Sequence, residues 1–230
     1  MAPFDSVTID GRAAVFPNGA LVVADLHLGR VEQSRVELPI GEYRDVLERI
    51  ERLVSEYEPD RVIVAGDLVH AFDRLPYRVK EGIESLRSTI ETQEAALTVV
   101  AGNHDAALET SGDLPLRPHA WIDDRTLVHH GHERPAVPAE RLVIGHVHPA
   151  ITIEGDRRPC FLKCPGQEDD PDVLVLPAFS RVALGTPVNT RPDRETLSPA
   201  LSTLETARPV ISTGDGPLSF PPLGTLTQFR

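Results

Sequence analysis

Three short apolar runs in the first half of the chain constrain its fold more than any other feature. They span residues 20–24, 61–65 and 96–101, they are rich in valine, and they are nearly continuous rather than alternating. Such runs are typical of strands that are buried on both faces of a parallel sheet. Between them lie two helical patterns, at residues 40–57 and 79–90, with apolar side chains three and four positions apart. This alternation of strand and helix requires crossover connections and predicts an α/β fold class with a parallel sheet.

The second half of the chain has a different pattern, in which strand-like runs follow one another without a convincing amphipathic helix. Five such runs, separated by turn residues, occupy residues 125–129, 141–144, 150–153, 160–162 and 172–176. The tail after Val188 is rich in proline, threonine and serine, yet it keeps apolar residues such as Leu201 and Ile211. We therefore expect the tail to pack against the rest of the chain. Because there is no internal repeat, the simplest organisation is one domain over residues 1–230.

The acidic balance of the chain limits the partners it can bind. With 23 lysine and arginine residues against 35 aspartate and glutamate residues, the formal net charge is −12. A surface of that sign repels phosphate backbones at long range, which argues against non-specific binding of duplex nucleic acid.

Two features of the sequence bear on location. Cys160 and Cys164 are the only cysteines, and two thiols so close together make a poor disulfide framework, so we expect reduced thiols. The first residues have neither a basic stretch nor an apolar run, and no apolar run approaches the roughly 20 residues that a membrane helix needs. The sequence therefore predicts a cytoplasmic protein with no membrane partner.

Each strand-like run that we expect at the centre of the fold is followed by residues that can bind a metal ion. These residues are Asp25 and His27, Asp67, Asn103 with His104 and Asp105, His129 with His130 and His132, and His146 with His148. Ligand sites in open α/β sheets lie beyond the carboxyl ends of the strands, so these side chains are expected to meet in one cleft. Glycine precedes the ligand at Gly66, Gly102 and Gly145, where a residue without Cβ allows close approach of the backbone.

The chemistry of these residues indicates which ions they would hold. Carboxylate and amide oxygens together with imidazole nitrogens suit Mn²⁺, Fe or Zn²⁺, and the lack of thiolates argues against structural zinc and iron–sulfur sites. Seven of these eleven residues would already be too many ligands for one ion, and seven are about right for two ions that share a carboxylate. Spacing alone does not decide whether His129 or His130 is the ligand.

These five blocks, in this order over residues 20–149, resemble the motifs of the calcineurin-like metallophosphoesterase family. Residues 25–29, 176–180 and 185–189 more narrowly resemble the small archaeal phosphoesterases related to the SbcD nuclease and the bacterial DNA-ligase-associated phosphoesterases. The resemblance implies a two-sheet β-sandwich flanked by helices, in four layers of α/β/β/α type. It also implies two divalent metal ions, for which we expect Mn²⁺, with Fe or Zn²⁺ as alternatives.

The resemblance also implies a role for each residue of the site. One ion would be held by Asp25, His27, Asp67 and His148, and the other by Asp67, Asn103, His130 and His146, with Asp67 between them. His130 is chosen over His129 because the ligand in this family directly precedes the glycine. His104 would face the substrate, Asp105 would hold its imidazole, and Arg30 could pair with a substrate phosphate.

We therefore expect a metal-dependent phosphoesterase, with a phosphodiesterase favoured and a nuclease-like role in DNA repair as its setting. The substrate is a phosphate ester, nucleic acid is one candidate, and the sequence indicates no protein partner. A phosphomonoesterase or a small-nucleotide phosphodiesterase would carry the same motifs. A non-catalytic, metal-bound interaction module is less favoured, because such modules usually lose a ligand and here every ligand and His104 are present. A lactamase-like zinc hydrolase is disfavoured, since its histidines cluster in one short motif.

Overall fold

The first sheet contains the three apolar runs of the first half of the chain. In the computed structural model, which describes residues 3–30, 40–71, 74–190 and 197–226, this sheet has six strands in sequence order. They are β1 (Thr8–Asp10), β2 (Ala13–Val15), β3 (Ala20–Val23), β4 (Arg61–Ala65), β5 (Ala96–Val100) and β6 (Leu116–Arg117). Strands β3 to β6 are parallel, whereas β1 and β2 form an antiparallel hairpin beside β3.

The helices of the first half connect these parallel strands and cover the outer face of the sheet. They are α1 (Ile40–Tyr57), α2 (Tyr77–Thr92) and the short α3 (Ala106–Ser111). Both long helices form where the apolar spacing predicts them, because one stripe of each helix is buried against the sheet. In α2 the buried stripe includes Val79, Ile83, Leu86 and Ile90.

The second half of the chain forms a second sheet of seven strands and a small third sheet. The seven strands lie in the order β16 (Gly216–Ser219), β15 (Arg208–Thr213), β12 (Phe161–Cys164), β13 (Asp172–Val175), β9 (Arg141–Ile144), β8 (Thr126–His129) and β7 (Ala120–Trp121). The third sheet contains β11 (Asp156–Pro159), β10 (Pro149–Ile153) and β14 (Thr186–Pro187). Strands β13, β9 and β8 are parallel, and the outer strands of the large sheet pair antiparallel.

Three apolar clusters define the layers of the fold. The first lies between the helices and the six-stranded sheet, and the second lies between the two large sheets, where Val22 and Ile63 share a cluster with Val143 and Phe161. The third covers the outer face of the seven-stranded sheet and includes Leu201 of the tail and Leu223 of the four-residue helix α4 (Leu223–Leu226). The expected sandwich with helices outside its sheets is confirmed, although its fourth layer is mostly extended tail.

Two further observations concern the environment of the chain. Both cysteines are buried and free, and burial raises the pKa of the Cys164 thiol to about 12. Within the described ranges, none of the helices has the length and apolar character that crossing a membrane requires.

Candidate metal centre

The loops that follow β3, β4, β5, β8 and β9 meet at one edge of the two large sheets. A first group of ligand atoms is formed by Asp25, His27 and His148, whose ligand atoms all lie within 4.8 Å of one another. The Nε2 atoms of His27 and His148 are 3.2 Å apart, and His148 Nε2 is 3.3 Å from Asp25 Oδ1.

A second group contains Asp25, Asp67 and His130, again within 4.8 Å of one another. His130 Nε2 lies 3.4 Å from Asp67 Oδ1 and 3.1 Å from the side-chain oxygen of Asn103. The structure therefore brings His130 into the cluster, whereas His129 Nδ1 accepts a hydrogen bond from the Gly131 backbone. Asp25 is the carboxylate common to both groups, although the resemblance gives the shared position to Asp67.

His146 completes the set of candidate ligands. Its ring centroid is 5.0 Å from that of His130, and its side chain is half-buried beside the second group. Its backbone N–H donates to both carboxylate oxygens of Asp25, at 3.2 and 3.0 Å. All seven predicted ligands therefore lie in one region of the molecule.

The backbone of the cluster is strained at five of these residues. Asp25, His27, Asp67, His146 and His148 have φ values of 56°, 50°, 51°, 64° and 48°. Residues other than glycine rarely adopt this left-handed conformation, and each instance costs on the order of 1–3 kcal/mol. Because the surrounding fold holds five such residues together, the geometry of their side chains is fixed by the scaffold.

The three glycines identified in the sequence lie where a side chain would collide with a candidate ligand. A Cβ on Gly66 would be 2.2 Å from His130 Nδ1, and one on Gly102 would be 2.2 Å from Asp67 Oδ1. A Cβ on Gly145 would be 2.7 Å from Asp25 Oδ2. The interpretation that glycine permits close approach at these positions is confirmed.

The electrostatics of the cluster fit a group of divalent cations. Asp25 and Asp67 are both buried beside the same imidazole, that of His130. Two buried negative charges at one place are stable only when a positive group balances them. Burial lowers the pKa of His27 to about 3, so this imidazole is neutral, and its buried Nδ1 has no hydrogen-bond partner among the described residues. Neutral imidazoles and ionised carboxylates are the protonation states that metal ligands require.

Asp67 is ionised for a reason that can be traced to its neighbour. Burial by itself raises the pKa of this carboxyl, but the hydrogen bond to His130 and the charge of His130 outweigh burial. The pKa of Asp67 consequently lies well below its ordinary value. Burial by itself lowers the pKa of His130, but the same pairing raises it to about 9, so these groups share a proton that a divalent cation would displace. With that proton displaced His130 is neutral, and the residues present fit the divalent ions that the resemblance implies.

His104 lies at the accessible side of the cluster. Its side chain is 27% exposed, and its Nε2 is 4.0 Å from Asp67 Oδ2. Its backbone N–H donates to Asp67 Oδ1 at 2.9 Å, which fixes the loop that carries it. The imidazole is therefore close to the ligands and within reach of a bound molecule.

The expected pairing of Asp105 with the His104 imidazole is corrected by the structure. Asp105 Oδ1 accepts from the Val69 backbone at 3.0 Å, and Oδ2 accepts from the Gly102 backbone at 2.9 Å. Among the described residues, no hydrogen bond joins this carboxylate to the imidazole of His104. Asp105 turns back on its own loop because the buried N–H groups there need acceptors.

Three further side chains border the cluster. The Arg30 backbone N–H donates to the His27 carbonyl at 3.1 Å. Burial lowers the pKa of His70, and the charges of His104 and Arg30 lower it further. The ring centroid of His70 is 4.6 Å from that of His104, and that of His132 is 5.2 Å from that of His130. Sequence reasoning assigned no role to His70 or His132, although both fall close to a ligand in the sequence.

One supporting segment could not have been found from the sequence pattern. Phe179 donates to the Ala24 carbonyl at 2.7 Å and Ser180 donates to the Asp25 carbonyl at 3.3 Å, so residues 178–180 support the strained end of β3. The motif resemblance included these residues without giving them a function.

Comparison with known proteins shows which family and which relatives the chain resembles. A family model for calcineurin-like phosphoesterases matches residues 20–159. The chain is similar to the SbcD subunit of the nuclease SbcCD from Bacillus subtilis (strain 168), with 34% identity over 99 residues. The match covers 42% of this chain and 24% of that protein, so it spans about a quarter of the relative's length.

Two solved structures are also similar. The nuclease MPE from Pseudomonas putida shares 25% identity with a TM-score of 0.60, over 90% of this chain and 92% of that one. Yfce, a phosphoesterase from E. coli, shares 18% identity with a TM-score of 0.43, over 85% of this chain and 88% of that one.

The family model covers more than half of the chain and includes all five loops that carry the candidate ligands. Its match and the geometry of the cluster lead to one conclusion: the chain belongs to the calcineurin-like phosphoesterase family.

Proposed function

We propose that this chain is a phosphodiesterase that cleaves nucleic acid with two divalent cations, with Mn²⁺ preferred. The observation that carries the proposal is the pair of overlapping ligand groups around Asp25, each with ligand atoms within 4.8 Å of one another. Their oxygen and nitrogen donors suit Mn²⁺, and Fe and Zn²⁺ are compatible with the same donors.

The ligands are assigned by motif position, and the geometry of the cluster supports the assignment. One ion would be held by Asp25, His27, Asp67 and His148, and the other by Asp67, Asn103, His130 and His146. When bound, such a pair lowers the pKa of water and neutralises negative charge on the phosphoryl group.

In this proposal His104 is the catalytic residue of the chain. Its partly exposed imidazole lies beside Asp67, with Nε2 4.0 Å from Oδ2. A protonated Nε2 donates its proton to the ester oxygen that leaves when the P–O bond breaks. Asp105 acts as a positioning residue, because its two backbone hydrogen bonds hold the loop on which Asn103 and His104 lie.

Arg30 is proposed to bind the substrate. Its backbone N–H donates to the His27 carbonyl at 3.1 Å, and this contact beside a candidate ligand supports the proposal. A guanidinium can donate two parallel hydrogen bonds to a phosphate, so Arg30 suits the non-reacting oxygens of the ester.

Nucleic acid is the proposed substrate because two of the similar proteins are nucleases by name, one of them over 90% of this chain. The net charge of −12 favours ends or single strands over long duplexes. We propose DNA repair as the setting and the cytoplasm as the location, where the free Cys160 and Cys164 stay reduced.

A substrate panel tests this proposal. With Mn²⁺ present, we expect an aryl phosphodiester and single-stranded DNA to be hydrolysed at least about tenfold faster than aryl monoesters or cyclic nucleotides, because a monoester lacks the second ester group and a cyclic nucleotide holds both ester oxygens in one ring. The specificity constant kcat/KM for each substrate is the measurement.

The other outcomes of the panel identify the alternatives. Faster hydrolysis of monoesters indicates a phosphomonoesterase, and faster hydrolysis of cyclic nucleotides indicates a small-nucleotide phosphodiesterase. No turnover in a sample that contains both ions, together with a tight protein partner, indicates an interaction module and rejects the proposal.

A further inference from the structure

A second cluster of charged side chains lies outside the candidate metal centre. The turn between β1 and β2, helix α1 and the residues around Phe179 surround a cavity of about 220 Å³. Four arginines line it, namely Arg12, Arg49, Arg52 and Arg181, and we call it the arginine pocket. Because β2 runs antiparallel to β3, with Ala14 opposite Val22, the turn lies beside the end of β3 that leads to Asp25.

The charges of the arginine pocket are not balanced among the described residues. Arg49 and Arg181 both pair with Asp45, through Nη2 to Oδ2 at 2.8 Å and Nη1 to Oδ1 at 2.7 Å. Arg12 forms no ion pair with any side chain that the structure describes, so three guanidinium groups share one carboxylate. In a chain with a net charge of −12, such a local excess of positive charge attracts anions to one place.

Arg52 is the exception within the pocket. Its Nη1 pairs with Asp10 at 2.9 Å and with Glu56 at 2.7 Å. Two carboxylates therefore face this one guanidinium. Taken together, the four arginines of the pocket meet three carboxylates, which leaves an excess of one positive charge, and this excess lies with the other three arginines.

Arg12 keeps donors available for a ligand. Its Nη1 donates to the carbonyls of Ala178 and Ser180, and its Nε and Nη2 have no hydrogen-bond partner among the described residues. A guanidinium has five N–H donors in a fixed plane, which match the oxygens of a tetrahedral anion. Burial lowers the pKa of Arg12 to about 10, and the nearby charges of Arg49 and Arg181 contribute to the same shift.

From these contacts we propose that Arg12, Arg49 and Arg181 form an oxyanion site that binds a phosphate group outside the metal centre. A phosphate is negatively charged and can balance the positive excess of the three arginines. The cavity also has room for the phosphate and for water that stays bound to it. Arg49 is held in place for this purpose by its contact with the Phe179 ring, 4.0 Å from the guanidinium carbon to the centroid, and by its bond to the Phe179 carbonyl.

The arginine pocket and the metal centre share residues 178–180. On one side, Arg12 and Arg49 bind the carbonyls of this segment, and on the other, Phe179 and Ser180 donate to Ala24 and Asp25. Because the two sites meet at this segment, we expect a phosphate in the pocket to be a neighbouring phosphate of the strand whose ester bond is cleaved. This second step rests on the proposed function, whereas binding of phosphate in the pocket does not.

Binding of inorganic phosphate to the full-length, Mn²⁺-loaded protein tests the site directly. We expect Arg181→Gln to weaken one of two phosphate-binding events in calorimetry by about tenfold, the effect of losing one charged hydrogen-bond donor. Arg125→Gln is the matched control, because Arg125 also pairs with one carboxylate and is similarly exposed, with side-chain exposures of 58% and 65%. Equal affinities in the two variants would refute the site.

A second variant, for which the expected change in phosphate affinity has the opposite sign, distinguishes phosphate binding from structural support of the segment. Asp45→Asn removes the carboxylate that competes with phosphate, so the same binding event is expected to tighten severalfold. Glu140→Gln, which removes the partner of Arg125, is its control for net charge. Weaker phosphate binding in Asp45→Asn, with the fold intact, would show that the ion pairs only hold the segment. If that variant does not fold, the exposed Arg181 and its control decide the question.

A kinetic comparison identifies the source of the phosphate. For a strand phosphate, Arg181→Gln raises KM about tenfold for a short oligothymidylate and leaves KM unchanged for a one-phosphate aryl diester. An unchanged KM for both substrates, with weaker phosphate binding, assigns the pocket to free phosphate. An equal rise for both means that the arginines act through the metal centre, which overturns the site. Absence of turnover in the wild type counts against the proposed function and leaves the calorimetric result standing.

Discussion

Replacing His104 with alanine is expected to lower kcat for a nucleic-acid substrate by about 10²–10⁴-fold, the usual contribution of a positioned proton donor. The two metal ions are expected to stay bound, because the His104 side chain is not among the assigned ligands. Steady-state kinetics with metal analysis of the same sample provides the measurement. His119→Ala is the control, since His119 packs near Trp121 rather than at the cluster.

The leaving group distinguishes proton donation from other roles of His104. An alkoxide that leaves from DNA needs a proton, whereas a nitrophenolate leaves readily without one, so the loss in kcat should be much smaller for the aryl diester. An equal loss for both leaving groups would indicate that His104 binds the phosphoryl group instead. Wild-type turnover in the alanine variant would remove His104 from the mechanism.

Replacing Asp67 with asparagine is expected to reduce the metal content from two ions per chain to fewer than one, with activity lost in parallel. The substitution keeps the shape of the side chain and removes the negative charge, which a shared ligand contributes to both ions. Elemental analysis of the purified variant, after dialysis against Mn²⁺-free buffer, gives the metal content.

The matched variant Asp25→Asn tests which carboxylate is shared. The assignment by motif predicts that Asp25→Asn keeps the ion bound by Asn103, His130 and His146. In the structure, by contrast, Asp25 is the carboxylate that belongs to both ligand groups. If Asp25→Asn releases both ions and Asp67→Asn releases one, the shared position belongs to Asp25.

Much of the fold could be predicted because its causes are local. The valine-rich runs that became β3 and β4 are buried on both faces, Val99 and Val100 at the end of β5 are buried as well, and the apolar stripe of α2 has the period of a helix. The position of the site followed from the same reasoning, since parallel strands bring the residues after their carboxyl ends together.

The remaining features depend on contacts that no local pattern reports. Aspartate and histidine adopt the left-handed backbone more readily than most residues, but at Asp25 and His148 it is tertiary packing that imposes this conformation, and no local pattern announces it. The orientation of Asp105 depends on buried N–H groups, one of them on Val69, 36 positions away. Arg12 binds Ala178 across 166 positions, so the arginine pocket exists only in the folded chain.

Anomalous diffraction from crystals grown with Mn²⁺ tests the dinuclear centre most directly. We predict two anomalous peaks per chain, one against Asp25, His27 and His148 and the other against Asn103, His130 and His146. A single peak, or two peaks that lie away from these side chains, would contradict the account.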